Sequence, residues 1–206
     1  MRFNPFKLLI VSLSLLLTIQ QSCKKIPLQE KKEEVSVFDD CITPGSKTSF
    51  EIVTLNLEGY PKKGEETVSI VQELINKADP DIIAFQEIAS ENDFSALVDS
   101  LDGWEGVFYT IDESPWNLAY IIKSSEIEYD DSKTRLLFSD DSYAFPRPPF
   151  EIFITHKYLN ISLYLINIHL KCCGGTDNED RRRDASEKLQ SYLITQRIED
   201  PVIVLG

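Results

Sequence analysis

The sequence predicts a mixed α/β domain, with helices gathered at the two ends of a strand-rich middle and sheets covered on both sides. Three observations predict it. Val68, Val71, Leu74, Ile75 and Ala78 recur at helical spacing early in the domain, and Ala185, Leu189, Tyr192 and Leu193 do so late. Between them lie β-rich segments at about 106–110, 118–123, 133–138, 150–157 and 161–170, separated mostly by turn-length gaps. The composition fits a sizeable core: 206 residues, 42% hydrophobic, 10% aromatic, with 4 Cys and 8 Gly. Those figures exclude an acidic disordered tail, a collagen repeat and a disulfide-stapled miniprotein. The net charge of −13 argues against a protein that coats nucleic acid through Lys and Arg, yet leaves room for phosphate chemistry carried by a bound cation.

The chain begins with an address. Arg2 and Lys7 precede Leu8–Ile19, an apolar run interrupted only by Ser and Thr and too short to span a bilayer. Ser22-Cys23 follows, so residues 1–23 read as a signal peptide, with Cys23 as the lipidated residue of a lipoprotein-type box. The alternative is an ordinary cleaved export signal. Loss of Arg2 and Lys7 would take the net charge from −13 to −15. Residues 24–48, rich in Lys, Glu and Asp with Pro27, Pro44 and Gly45, read as a tether. Cys41 could bridge to Cys172 or Cys173 in an oxidising compartment, or all three could stay unpaired or pair otherwise. No C-x-x-C spacing supports zinc.

The domain occupies 49–206. Phe50–Leu57 is a strand with Phe50, Ile52, Thr54 and Asn56 on one face. A helix over 65–78 starts at Glu65-Glu66 and is stopped by Pro80-Asp81. Asp81–Ile88 is a buried strand, and Phe94, Leu97, Val98 and Leu101 mark a short amphipathic helix. The spacing of the following strands favours antiparallel hairpins. A helix runs from Asn178 to about Ile198, and Pro201–Leu205 is a strand apolar on both faces.

Strand ends carry the chemistry. Ile83 and Phe85 lead to Glu87; Ile161, Leu163 and Leu165 lead to Asn167 and His169; Phe50 and Ile52 lead to Asn56. A carboxylate at the end of a core stripe needs a cation, since burying it alone is costly. A hard divalent ion fits, taking one or two carboxylates and keeping several waters. The competing readings are a loop-capping carboxylate for Glu87 and a satisfied core histidine for His169. His156 lies in a strand that alternates outward and reads as structural or solvated.

Thr54-Leu55-Asn56 and Pro80-Asp81-Ile82-Ile83-Ala84-Phe85-Gln86-Glu87-Ile88 resemble the first two motifs of the endonuclease/exonuclease/phosphatase superfamily, which includes pancreatic-type deoxyribonuclease and bacterial sphingomyelinases. Arg147-Pro148-Pro149-Phe150 is similar to the opening of a later strand, Asn167-Ile168-His169-Leu170-Lys171 to the N-x-H-L motif, Arg182 to the helix arginine, and Pro201–Gly206 to the strand entering G-D-x-N. The resemblance implies a deoxyribonuclease-like four-layer fold, a two-sheet β-sandwich flanked by helices. It implies a hydrolase cleaving phosphodiesters or phosphomonoesters with Mg²⁺ or Mn²⁺. Glu87 and Asn56 would be metal ligands, His169 and Asn167 catalytic, and Arg147 a phosphate contact. The substrate would be nucleic acid, a nucleotide or a phospholipid head group; the membrane would be met through the lipid anchor; no protein partner is implied. The family's Asp and Asn after that glycine, and its late Asp-His pair, do not occur before Gly206. The expected domain is therefore incomplete at its C-terminus and inactive alone. The alternative to an enzyme is a surface lipoprotein that uses the scaffold for binding.

Overall fold

The computed structural model describes Ser36, Phe38 and residues 42–110 and 116–206. The signal peptide, Cys23, Cys41 and nearly all of the tether's charged half lie outside the described residues. The elements described here belong to one unit, Val37–Gly206. They run β1 (Ile52–Tyr60), α1 (Glu65–Ala78), β2 (Ile82–Ile88), α2 (Glu91–Asp99), β3 (Trp104–Phe108), β4 (Asn117–Lys123), β5 (Ile127–Leu136), β6 (Phe150–His156), β7 (Ile161–Asn167), α3 (Thr176–Gln196) and β8 (Val202–Leu205).

The strands form two four-stranded mixed sheets, ordered β1-β2-β4-β3 and β5-β6-β7-β8. The first and last crossovers are parallel, β1 with β2 and β7 with β8, each spanned by a helix. The remaining pairs are antiparallel. The expected hairpin fails at β4 and β5. Both edges of β4 are already occupied, by β2 and β3. The chain therefore crosses at 124–126 and starts the second sheet with β5.

Strand alternation distributes the core into layers. Ile82, Ala84, Leu118, Tyr120 and Ile122 of the first sheet face Phe150, Ile152, Ile154, Leu163 and Leu165 of the second. On the outer face of the first sheet, Ile83, Phe85, Ala119 and Ile121 pack on Val71 and Ile75 of α1 and on Phe94 and Leu97 of α2. Outside the second sheet, Ile166 packs on Ala185 and Leu189 of α3. Each Val, Leu, Ile or Phe side chain among them, fully buried, contributes about 1.5–3 kcal/mol relative to exposure. Helix α1 ends where Asp79 takes a left-handed conformation (φ 43°) before Pro80, and Ser90 caps α2 by accepting from the Asp93 N–H at 3.2 Å. The edge strand β8 leaves Ile203 and Val204 partly exposed.

His156 does not alternate outward into solvent. It follows Phe150, Ile152 and Ile154 on the inter-sheet side and is 1% exposed. Its Nδ1 accepts from the Tyr158 and Leu159 N–H groups, both at 3.3 Å, so the turn after β6 holds it in place.

Candidate active site

The site forms where β1, β2 and β7 end at one pole of the sandwich. Parity alone would send Glu87 to the helix side with Ile83 and Phe85. Glu87 instead has φ 62°, and the β2–β4 register shifts between Phe85 and Ile88. The left-handed residue turns the carboxylate towards the inter-sheet side, where a regular strand would not place it. There Asn56 Nδ2 donates to Glu87 Oε1 at 3.2 Å, and His169 Nε2 lies 3.4 Å from the same oxygen.

Asn56 is fixed by a bulge of its own. Its Oδ1 accepts from the Glu58 N–H at 2.8 Å, Glu58 and Gly59 have φ of 49° and 86°, and the β1–β2 register shifts between Asn56 and Tyr60. A Cβ on Gly59 would lie 2.5 Å from the Trp116 ring, so only glycine fits that turn.

His169 is partly buried, its side chain 14% exposed. Burial pushes the imidazole below its ordinary range, the Arg147 charge adds to the shift, and Glu87 opposes it. Arg147 is half-buried and, among the described residues, forms no hydrogen bond or ion pair, so its guanidinium stays available beside His169.

Asn167 is fully buried between the sheets. Its Oδ1 accepts from Gln86 Nε2 at 2.8 Å, and its Nδ2 donates to the carbonyls of Phe85 at 2.8 Å and Ala119 at 3.2 Å. None of these bonds reaches His169; Asn167 bolts the second sheet to the first directly beneath the site. Gln86 is the partner that sequence reasoning passed over. The available signal was its parity: it follows Ile82 and Ala84 on the inter-sheet face, where an amide needs a partner. Arg182 takes no part in the cleft. Its Nη1 donates to the carbonyls of Lys171 at 3.0 Å and Cys173 at 2.8 Å and so clamps the loop after His169.

Among the described residues no group of three His, Cys, Asp or Glu side chains could hold a metal ion. A cation at this pole would therefore rest on Glu87 with water completing its shell; the Asn56 amide oxygen, expected as a second ligand, already accepts from the Glu58 N–H, and the amide nitrogen is the end that faces Glu87. That set suits Mg²⁺, which binds through one or two carboxylates and retains waters.

No protein-family model matches the chain, and no curated protein does. Solved structures do. D. rerio TDP2 complexed with a single-strand DNA product superposes with a TM-score of 0.59 at 15% identity, covering 75% of this chain and 58% of that one. The human Nocturnin catalytic domain with a bound sulfate anion gives 0.56 at 21%, covering 74% and 62%. An endonuclease/exonuclease/phosphatase family protein from Bacteroides thetaiotaomicron gives 0.55 at 12%, covering 76% and 62%. The chain has the endonuclease/exonuclease/phosphatase fold. It spans about three-fifths of the length of these structures.

Proposed function

We propose that the protein is an exported, metal-dependent phosphoesterase whose phosphate is received at the pole formed by Asn56, Glu87, Arg147 and His169. The observation that carries this reading is the convergence of Asn56 and His169 on one Glu87 oxygen, produced by a positive-φ residue that ordinary strand geometry would avoid. Backbone strain of this kind persists only where the surrounding structure enforces it, and it clusters at working sites.

Glu87 would hold the cation, with Asn56 keeping the carboxylate oriented. When bound, the ion would draw negative charge from the phosphoryl oxygens. His169 and Arg147 act on the charge that develops as water attacks phosphorus and the ester oxygen departs. Preorganised donors in a partly dry site are worth more than the same donors in water. Asn167 and Gln86 keep the two sheets, and hence His169 and Glu87, at fixed separation.

The substrate is a phosphoester from a nucleic acid, a nucleotide or a phospholipid head group. The DNA product bound by TDP2 and the sulfate bound by Nocturnin support phosphate recognition on this scaffold. Lipidation at Cys23 would hold the enzyme at a membrane, and the acidic surface disfavours tight DNA binding through Lys and Arg. Hydrolysis of a chromogenic phosphodiester and phosphomonoester by the intact protein, with Mg²⁺, with Mn²⁺ and with EDTA, tests the reading together with calorimetric Mg²⁺ binding. Metal-dependent turnover and binding that Glu87→Ala abolishes are expected. Mg²⁺ binding unchanged in Glu87→Ala would refute the metal role. A protein that binds phosphoesters without turning them over, with or without metal, would support the scaffold-only reading instead.

A further inference from the structure

We propose that Cys172 and Cys173 form a thiol–disulfide modification site, a vicinal dithiol that closes into a ring by exchange with a low-molecular-weight disulfide. The inference stands apart from the phosphoesterase reading and rests on the loop that follows His169.

Both cysteines are free and exposed. The Cys173 thiol donates to Cys172 Sγ at a sulfur–sulfur separation of 2.7 Å, against about 2.05 Å for a covalent bond. Cys173 has φ 77°, a conformation that non-glycine residues rarely adopt and that sets its side chain back against its neighbour. The backbone on either side is held, because Arg182 donates to both the Lys171 and the Cys173 carbonyl. Beyond the clamp, Gly174 and Gly175 have open space around them, so ring closure can be absorbed downstream without a clash.

The two sulfurs differ. Lys171 Nζ lies 3.9 Å from Cys172 Sγ. The hydrogen bond from Cys173, followed by the charges of Lys171 and Arg147, holds the Cys172 thiol below its ordinary range. The same hydrogen bond and the Cys172 charge push Cys173 up. Cys172 is therefore the attacking group, since the thiolate is the nucleophile in exchange. Its sulfur attacks one sulfur of the incoming disulfide and displaces a thiol. The Cys173 thiolate then attacks the Cys172 sulfur and displaces the second thiol. One external disulfide is reduced to two thiols, and two protein thiols are oxidised to one disulfide. Neighbouring Cα atoms lie about 3.8 Å apart, closer than the roughly 4.4 Å lower limit of ordinary disulfides. The ring is strained for that reason, and strained bonds are the readily reversed ones.

Trypsin isolates the pair, because cleavage after Lys171 and Arg181 yields the peptide 172–181, whereas Cys41 falls in 33–47. The whole chain is incubated with oxidised glutathione, alkylated, digested and analysed by mass spectrometry, with reduced glutathione as the reversal. The expected result is a 172–181 peptide two hydrogen masses lighter that takes up no alkyl label, returning to two labels on reduction. Cys173→Ser should instead accumulate a glutathione adduct on Cys172, and Cys172→Ser should acquire its adduct at least several-fold more slowly. A peptide that keeps both labels in oxidised glutathione, or one cross-linked to 33–47, overturns the proposal. Equal adduct rates in the two variants overturn the assignment of Cys172 as the attacking sulfur.

Discussion

The two histidines occupy opposite ends of the same sheet and look alike in outline. Each lies on the inter-sheet side, and each has a carboxylate from the first sheet nearby: His156 Nε2 is 3.8 Å from Asp81 Oδ2, and His169 Nε2 is 3.4 Å from Glu87 Oε1. Their surroundings separate them. His156 is 1% exposed, its Nδ1 takes two backbone N–H groups, and its ring meets Phe50 edge-on at 5.2 Å. Asp81 accepts from the Glu51 N–H at 2.8 Å and so ties the start of β2 to the start of β1. His169 and Glu87 remain reachable, their side chains 14% and 21% exposed, with Arg147 alongside. A histidine–carboxylate pair is thus no sign of a site by itself. Hydrogen-bonding capacity that solvent or substrate can still reach is the sign. The cavity of about 450 Å³ at the other pole, lined by Asp79, Asp81, Lys123 and Glu126, contains none of Asn56, Glu87 or His169.

The contrast breaks if the two histidines respond alike to mutation. On the proposed function, His169→Ala should lower the intact protein's phosphoesterase turnover about 10²–10³-fold, the cost of removing one transition-state donor, and Glu87→Ala should abolish it together with metal binding. Melting temperature should change little, because neither group closes a core contact. His156→Ala should do the reverse. Two backbone N–H groups lose their acceptor, and a buried ring is deleted, at a cost of about 2–4 kcal/mol. Turnover per folded molecule should stay near that of the parent. Urea unfolding and steady-state kinetics on the three variants check both halves; a His156→Ala protein that is stable but inactive would sink the contrast.

Asn167 tests the join between the two sheets. Its replacement by Ala removes one of the Gln86 amide's acceptors, leaving it Thr54 Oγ1 and the Ala84 carbonyl, and leaves the Phe85 and Ala119 carbonyls short of a donor. A loss of about 1–3 kcal/mol is expected, since buried groups are left unpaired. Gln86→Ala made together with Asn167→Ala should cost less than the sum of the single changes, because the pair shares one hydrogen bond. Additive losses in a double-mutant cycle would show that Asn167 does not act through Gln86.

The elements that repeat strongly were legible in the sequence. The helix read over 65–78 is the helix observed, because its apolar face and its Pro80 stop are both local signals. The site residues were legible as types at strand ends, yet their geometry was not. Parity assigns Glu87 to the helix side, and only the positive φ corrects that. The start of β5 was missed, since Glu128, Asp130 and Asp131 on an exposed edge strand look like loop. The sheet change after β4 was missed too, because a short gap signals a hairpin only when the first strand still has a free edge. Of the two readings of His156, the structural one holds and the solvated one fails: it continues the inward face of Phe150, Ile152 and Ile154, and N–H groups of the following turn donate to its ring.

Tyr60 supplies the smallest expected effect and sharpens the same point, since it is a buried polar group with its capacity unspent. It is fully buried at the end of β1, and its hydroxyl has no hydrogen-bond partner among the described residues. Burial, then the charges of Asp93 and Glu65, push the phenol from 10.0 up to about 12. A group whose folded pKa is raised contributes stability that is fully present below its unfolded value and lost as pH climbs through the folded value. The protein should therefore lose stability between about pH 10 and 12 as the buried phenol is forced to ionise. Tyr60→Phe removes both the unpaired hydroxyl and that ionisation. At neutral pH the variant should equal or exceed the parent by under about 1 kcal/mol, because no hydrogen bond is broken. Its advantage in melting temperature should widen steadily above about pH 10. An unchanged difference across that range would mean the hydroxyl reaches water or a partner, and Tyr60 would then join Glu87 and His169 as an accessible group.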